Sequence, residues 1–165
     1  MDENLENNRF GQSRPADADL TETRRTLPIS LLRTRELIME FYRPLLHAHG
    51  LTEQQWRVLR TLHENGCTDA STVAQRACIL APSVSRMVKN LEAAELISIS
   101  KDPADGRRSM LALAPKGEAL IKDIAPDSKV IRDNIREIIG AERSELLLNL
   151  LSDIRDDLKS ATKST

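Results

Sequence analysis

Arg107 and Arg108 are the side chains whose type and spacing most directly suggest chemistry. They lie in the stretch Lys101-Asp102-Pro103-Ala104-Asp105-Gly106-Arg107-Arg108-Ser109-Met110. Two adjacent guanidiniums at the tip of a tight turn bind anions: the planar fork pairs with phosphate oxygens and enters narrow nucleic-acid grooves. A second group precedes them. Ser83, Ser85, Arg86, Lys89 and Asn90 are short or basic donors of the kind that reach base edges and phosphates in a major groove. A third group is Arg35, Met39, Arg43, Trp56 and Arg57. There the indole supplies a flat apolar wall, and an arginine supplies a counter-charge for a carboxylate ligand. The alternative for this group is that Trp56 is core and the arginines are solvated or paired with Glu36 and Glu40.

Other chemistries find little footing. No nucleophile elbow, P-loop, dinucleotide fingerprint or clustered acid/base set occurs, so neither an enzyme nor a cofactor is expected. His47, His49 and His63 are not spaced to put three ligands on one helix, so no metal is expected. Cys67 and Cys78 lack the partners of a disulfide framework or a zinc site. Cys78 has two readings, a small buried hydrophobe or a redox-responsive thiol. A reducing, cytoplasmic setting is the simplest one for these thiols.

The elements that must position these groups are legible in the periodicity. Leu96 to Ser100 and Met110 to Leu113 alternate apolar and polar residues, as half-buried strands do. Pro103, Asp105 and Gly106 between them are turn formers, so the arginine pair tips a β-hairpin. Upstream, Val84, Met87, Val88 and Leu91 form a buried helical stripe over Pro82 to about Ala93, leaving the Ser/Arg/Lys/Asn set outside. Pro82 suits a first helical position. A shorter helix over Asp69 to Ala77 turns Val73, Ala74 and Ala77 inward. Before that, Thr52 caps a helix with Gln55 completing a capping box, and Gly66 ends it.

Helical spacing also runs from Pro28 to about residue 48, where Pro44 is expected to kink or end the helix near Arg43. After the hairpin it resumes at Pro115. Pro126 is expected to bend or split that run, and Gly140 to break it before a last helix over about Glu142 to Lys159. Residues 1–26 are polar and nearly free of large apolar groups, which predicts a disordered arm. It is either a start-site extension or a carrier of Arg24 and Arg25 toward DNA. No stretch is long and apolar enough to span a bilayer, and no signal peptide is visible. The formal net charge of -1 does not argue against an anionic partner, because the charge on one face decides.

Two short helices and a hairpin in that order make a winged helix-turn-helix. Asp102, Asp105, Arg107 and Arg108 then match the D-x-x-D-x-R-R wing pattern of the MarR family of transcriptional regulators, which the chain resembles over about residues 28–160. The resemblance implies a mainly α fold with a small β-hairpin wing and with N- and C-terminal dimerisation helices. The DNA-binding lobe would cover about 52–113, and the dimerisation helices about 28–48 and 115–160, within one domain of residues 27–165. It further implies a homodimer on double-stranded operator DNA, with Asp102 and Asp105 supporting the wing and Asp105 orienting an arginine. An effector pocket is implied between the dimerisation helices and the lobe. Glu36, Phe41-Tyr42-Arg43-Pro44, Leu51 to Arg57 and Arg76 to Leu80 resemble the branch that represses homoprotocatechuate (4-hydroxyphenylacetate) degradation operons. That branch implies a small aromatic acid or phenolic effector. Ala114-Pro115 departs from the Leu-Thr common there. The rival expectations are a redox-responsive regulator using Cys78 and a protein-interaction module that does not bind DNA.

Overall fold

The structure, a computed structural model, describes residues 26–106 and 108–163. The arm expected over residues 1–26, save Thr26, lies outside the described residues, as does Arg107. The chain divides into two compact units, Met1–Leu37 and Ile38–Thr165, the division falling within the first helix. That helix, α1, covers Leu27–Ala48. In the first unit it carries exposed Leu27, Leu31, Leu32 and Leu37 and an Arg35–Glu36 ion pair.

The second unit holds the core. Helix α2, Glu53–Asn65, starts at the expected capping box: the Thr52 hydroxyl accepts from the Gln55 N–H, and the Gln55 side chain accepts from the Thr52 N–H. It ends at Gly66, whose N–H donates to the Leu62 carbonyl. Strand β1, Thr68–Asp69, leads into α3, Ala70–Arg76, and then α4, Ala81–Ala93. Strands β2, Ile97–Lys101, and β3, Ser109–Leu113, make the hairpin, and β1 adds to it in the order β1-β3-β2. All pairs are antiparallel, with Lys101 opposite Ser109 at the tip and Asp69 opposite Met110. Helices α5, Pro115–Ile139, and α6, Ala141–Lys163, follow, separated at Gly140. Leu59, Leu62, Val73, Val84, Leu91, Leu111 and Ile124 are fully buried between these elements.

Of the alternatives expected at two prolines, an end and a split do not occur. Pro44 does not end α1, which runs four residues further, and Pro126 does not split α5. Each proline removes one helical hydrogen bond, freeing the carbonyl four residues earlier. Here Pro44 and Glu40, and Pro126 and Lys122, are all exposed, so water reaches the freed carbonyls. Burial of Leu46 beyond the first proline, and of Ile124 and Ser128 around the second, holds both helices together.

Three helices end alike. After α1 the Leu51 N–H donates to Leu46 O and the Gly50 N–H to His47 O, the Schellman pattern with glycine in the left-handed position. After α3, Ile79 donates to Ala74 O and Cys78 to Gln75 O; after α4, Leu96 donates to Leu91 O and Glu95 to Glu92 O. There the left-handed residues are Cys78, at φ 51°, and Glu95, at φ 62°. Such a conformation costs a side-chain-bearing residue roughly 1–2 kcal/mol. Cys78 is exposed, which overturns its reading as a buried hydrophobe: a left-handed closing residue turns its side chain away from the helix pair it joins.

Asp69 caps α3. Its carboxylate accepts from the Ser71 and Thr72 N–H groups and from both hydroxyls. These bonds, led by the Ser71 and Thr72 side chains, hold its pKa well below the usual carboxylate range. A depressed folded-state pKa gives stability that is present above the unfolded value of 3.8 and lost as the pH falls below it. Asp69→Ala is expected to lower stability by about 0.5–2 kcal/mol at neutral pH. In urea melts the gap from wild type should narrow between about pH 5 and pH 2; a gap independent of pH would contradict the cap. Helix α4 has no such device: its N-cap is Leu80, without a side-chain cap bond, and Pro82 occupies its second position, not the first.

Candidate nucleic-acid interface and effector site

The apolar stripe of α4 fixes which side chains face out. Val84, Met87, Val88 and Leu91 are buried. Ser83, Ser85, Arg86, Lys89 and Asn90 are all exposed on the remaining faces. Ser85 folds its hydroxyl back to the Ala81 carbonyl at 3.4 Å.

The hairpin tip is braced from within. Asp102 accepts the Ala104 N–H at 2.8 Å on its carboxylate and donates its own N–H to the Arg108 carbonyl at 3.1 Å. The Arg108 N–H donates to the Asp105 carbonyl at 2.8 Å. Asp102 thus supports the wing by bonding to its backbone, a role an acid in a turn performs regardless of any arginine.

The cations here differ from many elsewhere in the chain. Arg60 pairs with Glu64, Lys129 with Asp133 and Arg136 with Glu145. Among the described residues of α4 and the hairpin, Arg86, Lys89, Lys101 and Arg108 are exposed and form no ion pair. Unneutralised cations on one lobe attract a polyanion strongly, because binding releases its condensed counterions.

The five residues expected at an effector site each have their own contacts. Arg35 lies in the first unit, paired with Glu36. Met39 packs on the core, and Arg43 pairs with Glu53 at 2.7 Å. Arg57 donates to the Cys78 carbonyl at 3.3 Å, and its Nε is buried without a hydrogen-bond partner among the described residues. Trp56 is 9% exposed, within the core.

One cluster does form around that indole. The Arg60 guanidinium lies 5.9 Å from its ring centroid. Burial pushes the Tyr42 phenol pKa up, while the charges of Arg132 and Arg60 act in the opposite direction. Tyr42 of α1 thus lies near Arg60 of α2 and Arg132 of α5, and Arg60 in turn lies over the indole ring. The i, i+4 spacing of Trp56 and Arg60 on α2 was the available sequence signal for the arginine. A recess of about 300 Å³ lies elsewhere, between Leu51, Leu91, Leu96 and Leu120. Its polar members are already engaged, Gln55 in the capping box, Lys116 with Glu95 and His49 with Asp123. It therefore offers an anionic ligand little.

A helix pair joined by a tight turn, with a polar face on the second helix and a three-stranded sheet ending in a hairpin, is the winged helix-turn-helix. The MarR family pattern matches residues 51–109. The chain is 38% identical over 129 residues to the HTH-type transcriptional regulator FarR of Neisseria gonorrhoeae, spanning 78% of this chain and 88% of that one. It is 34% identical over 128 residues to the homoprotocatechuate degradative operon repressor of Escherichia coli, spanning 78% and 86%. The crystal structure of NadR in complex with 4-hydroxyphenylacetate superposes with a TM-score of 0.71 at 38% identity, covering 78% of this chain and 92% of that one. The chain belongs to the MarR family and is a transcriptional regulator of that family. No helix among its described residues is long and apolar enough to cross a membrane.

Proposed function

We propose that this regulator is a homodimeric repressor of an aromatic-acid catabolic operon. It binds a pseudopalindromic operator through α4 and the hairpin and releases it when a small aromatic acid binds. The observation that carries the DNA reading is the unpaired set Arg86, Lys89, Lys101 and Arg108 on the lobe whose α4 exposes Ser83, Ser85 and Asn90. A protein-docking face would present a broad apolar patch, whereas the outward residues along α4 from Ser83 to Asn90 are polar or basic. Arg107 belongs to the same wing by sequence.

Dimerisation is supported by α6, which buries no residue within the protomer while Leu146, Leu148, Leu150 and Leu158 stand 49–61% exposed. A second copy related by a two-fold axis covers such a face and dictates the operator's symmetry.

The effector reading is supported by what two relatives are named for, homoprotocatechuate degradation and a 4-hydroxyphenylacetate complex. The cluster at Trp56 suits such a ligand. The indole takes the ring, Arg132 takes the carboxylate or Arg60 does so on giving up Glu64, and the Tyr42 phenol donates to an oxygen. Release requires that the ligand prefer the state that does not fit DNA.

The test is fluorescence anisotropy on duplex from the promoter beside the gene, titrated with 4-hydroxyphenylacetate and with homoprotocatechuate. One of them should displace wild-type protein. Arg60→Ala should need about 10–150-fold more ligand, as loss of a hydrogen bond to a charged group implies, with ligand-free DNA affinity unchanged. Displacement at the wild-type concentration would remove Arg60 from the site, and displacement by neither acid would remove the operon assignment.

A further inference from the structure

Leu80 fits no role described so far. It is 78% exposed, more than any other large hydrophobic residue described. It lies on the winged lobe, in the turn that enters α4, apart from the leucines of α6. Its neighbours on the chain, Cys78, Ala81, Pro82 and Ser83, are exposed and small, so it does not belong to a broad apolar surface that a folded partner would cover.

It also occupies the N-cap of α4, where Ser, Thr, Asp or Asn would bond to the helix end, and it makes no such bond. Two stabilising options, a polar cap and an apolar side chain kept from water, are both forgone at one position. Local rules broken together at one place mark a functional site more often than a structural one. The residue is nevertheless held firmly. Its carbonyl accepts from both the Ser83 and Val84 N–H groups, and Ile79 before it packs against the core.

Side chains at the front of a recognition helix are those that meet base edges. The front of α4 is apolar, with Leu80, Ala81 and Pro82, and its middle is cationic, with Arg86 and Lys89. In a major groove the one apolar feature a base offers is the C5 methyl group of thymine. We propose that Leu80 is a specificity-determining residue that packs against a thymine methyl in each half-site. The proposal rests on α4 being the element that reads DNA.

The test starts from a duplex selected by the full-length protein from a random pool. Each thymine of the half-site is replaced in turn by deoxyuridine, which removes only the methyl group. Wild-type protein should lose affinity at one position by about fourfold per half-site, the worth of one buried methyl. Leu80→Ala should bind the parent duplex more weakly and be indifferent to uridine at that position. Leu80→Asn supplies the missing cap, so it should melt about 2–4 °C higher and yet bind the selected duplex more weakly. That opposite movement separates a lost contact from a damaged fold. A uridine profile shared by wild type and Leu80→Ala, or full affinity in Leu80→Asn, would overturn the assignment and leave the DNA reading standing. Selection that recovers no sequence would overturn both.

Discussion

Gly117→Ala is expected to melt about 6–12 °C below wild type, the equivalent of about 3 kcal/mol or more in a chain of this size. The cause is a close approach of backbone to backbone. A Cβ at Gly117 would sit 2.0 Å from the Leu96 carbonyl oxygen and 3.0 Å from its carbon, with the Leu113 Cδ2 at 3.2 Å. A flexible side chain could swing clear, but a carbonyl cannot. The Leu96 oxygen already accepts the Ala114 N–H at 3.1 Å, at the entry to α5. Relief therefore means pulling the first turn of α5 away from the base of the hairpin. Thermal melts by circular dichroism measure this directly, and a shift under about 2 °C would show that the junction yields more easily than its geometry implies.

Arg108→Ala is expected to weaken operator binding by about 1–3 kcal/mol while leaving the melting temperature unchanged. The side chain is exposed and holds no ion pair among the described residues, so its removal leaves nothing unsatisfied in the protomer. Salt dependence then tells which contact was lost. If Arg108 meets a phosphate, the slope of log K against log salt drops by about 1; if it meets a base edge, specificity relaxes at one position instead. The wild-type affinity itself should fall about 10³–10⁵-fold between roughly 50 and 200 mM salt if six to ten phosphates are engaged. A flat salt response would argue against DNA, and unchanged affinity in Arg108→Ala would take that side chain out of the interface.

How far the sequence foretold this structure depends on whether a signal was local. The Thr52–Gln55 capping box, the stop at Gly66, the Val84 to Leu91 stripe and the hairpin are set by residues a few positions apart, and all were legible. At Pro44 and Pro126 the sequence left interruption open, because the burial that outweighs a proline comes from elsewhere in the fold. Strand β1 is two residues long, and its existence depends on β3, some forty positions away, so no periodicity could announce it. Cys78 and Leu80 stand where glycine and a polar cap would be favoured, and local preference points the wrong way at both. At the cluster around Trp56, residue types suggested that an arginine beside the indole matters. Only the helical geometry distinguishes Arg60, over the ring, from Arg57, turned toward Cys78.

Asp69 is shared property. Its backbone lies opposite Met110 in β3, and its carboxylate fastens the first turn of α3. The strand that follows Arg108 and the helix that props α4 are therefore joined at Asp69, whose partner Met110 is two residues from Arg108. Neither can loosen without tugging the other, since segments joined this way tend to open as one cooperative unit. The hairpin and the α3–α4 pair are therefore expected to loosen together rather than one at a time.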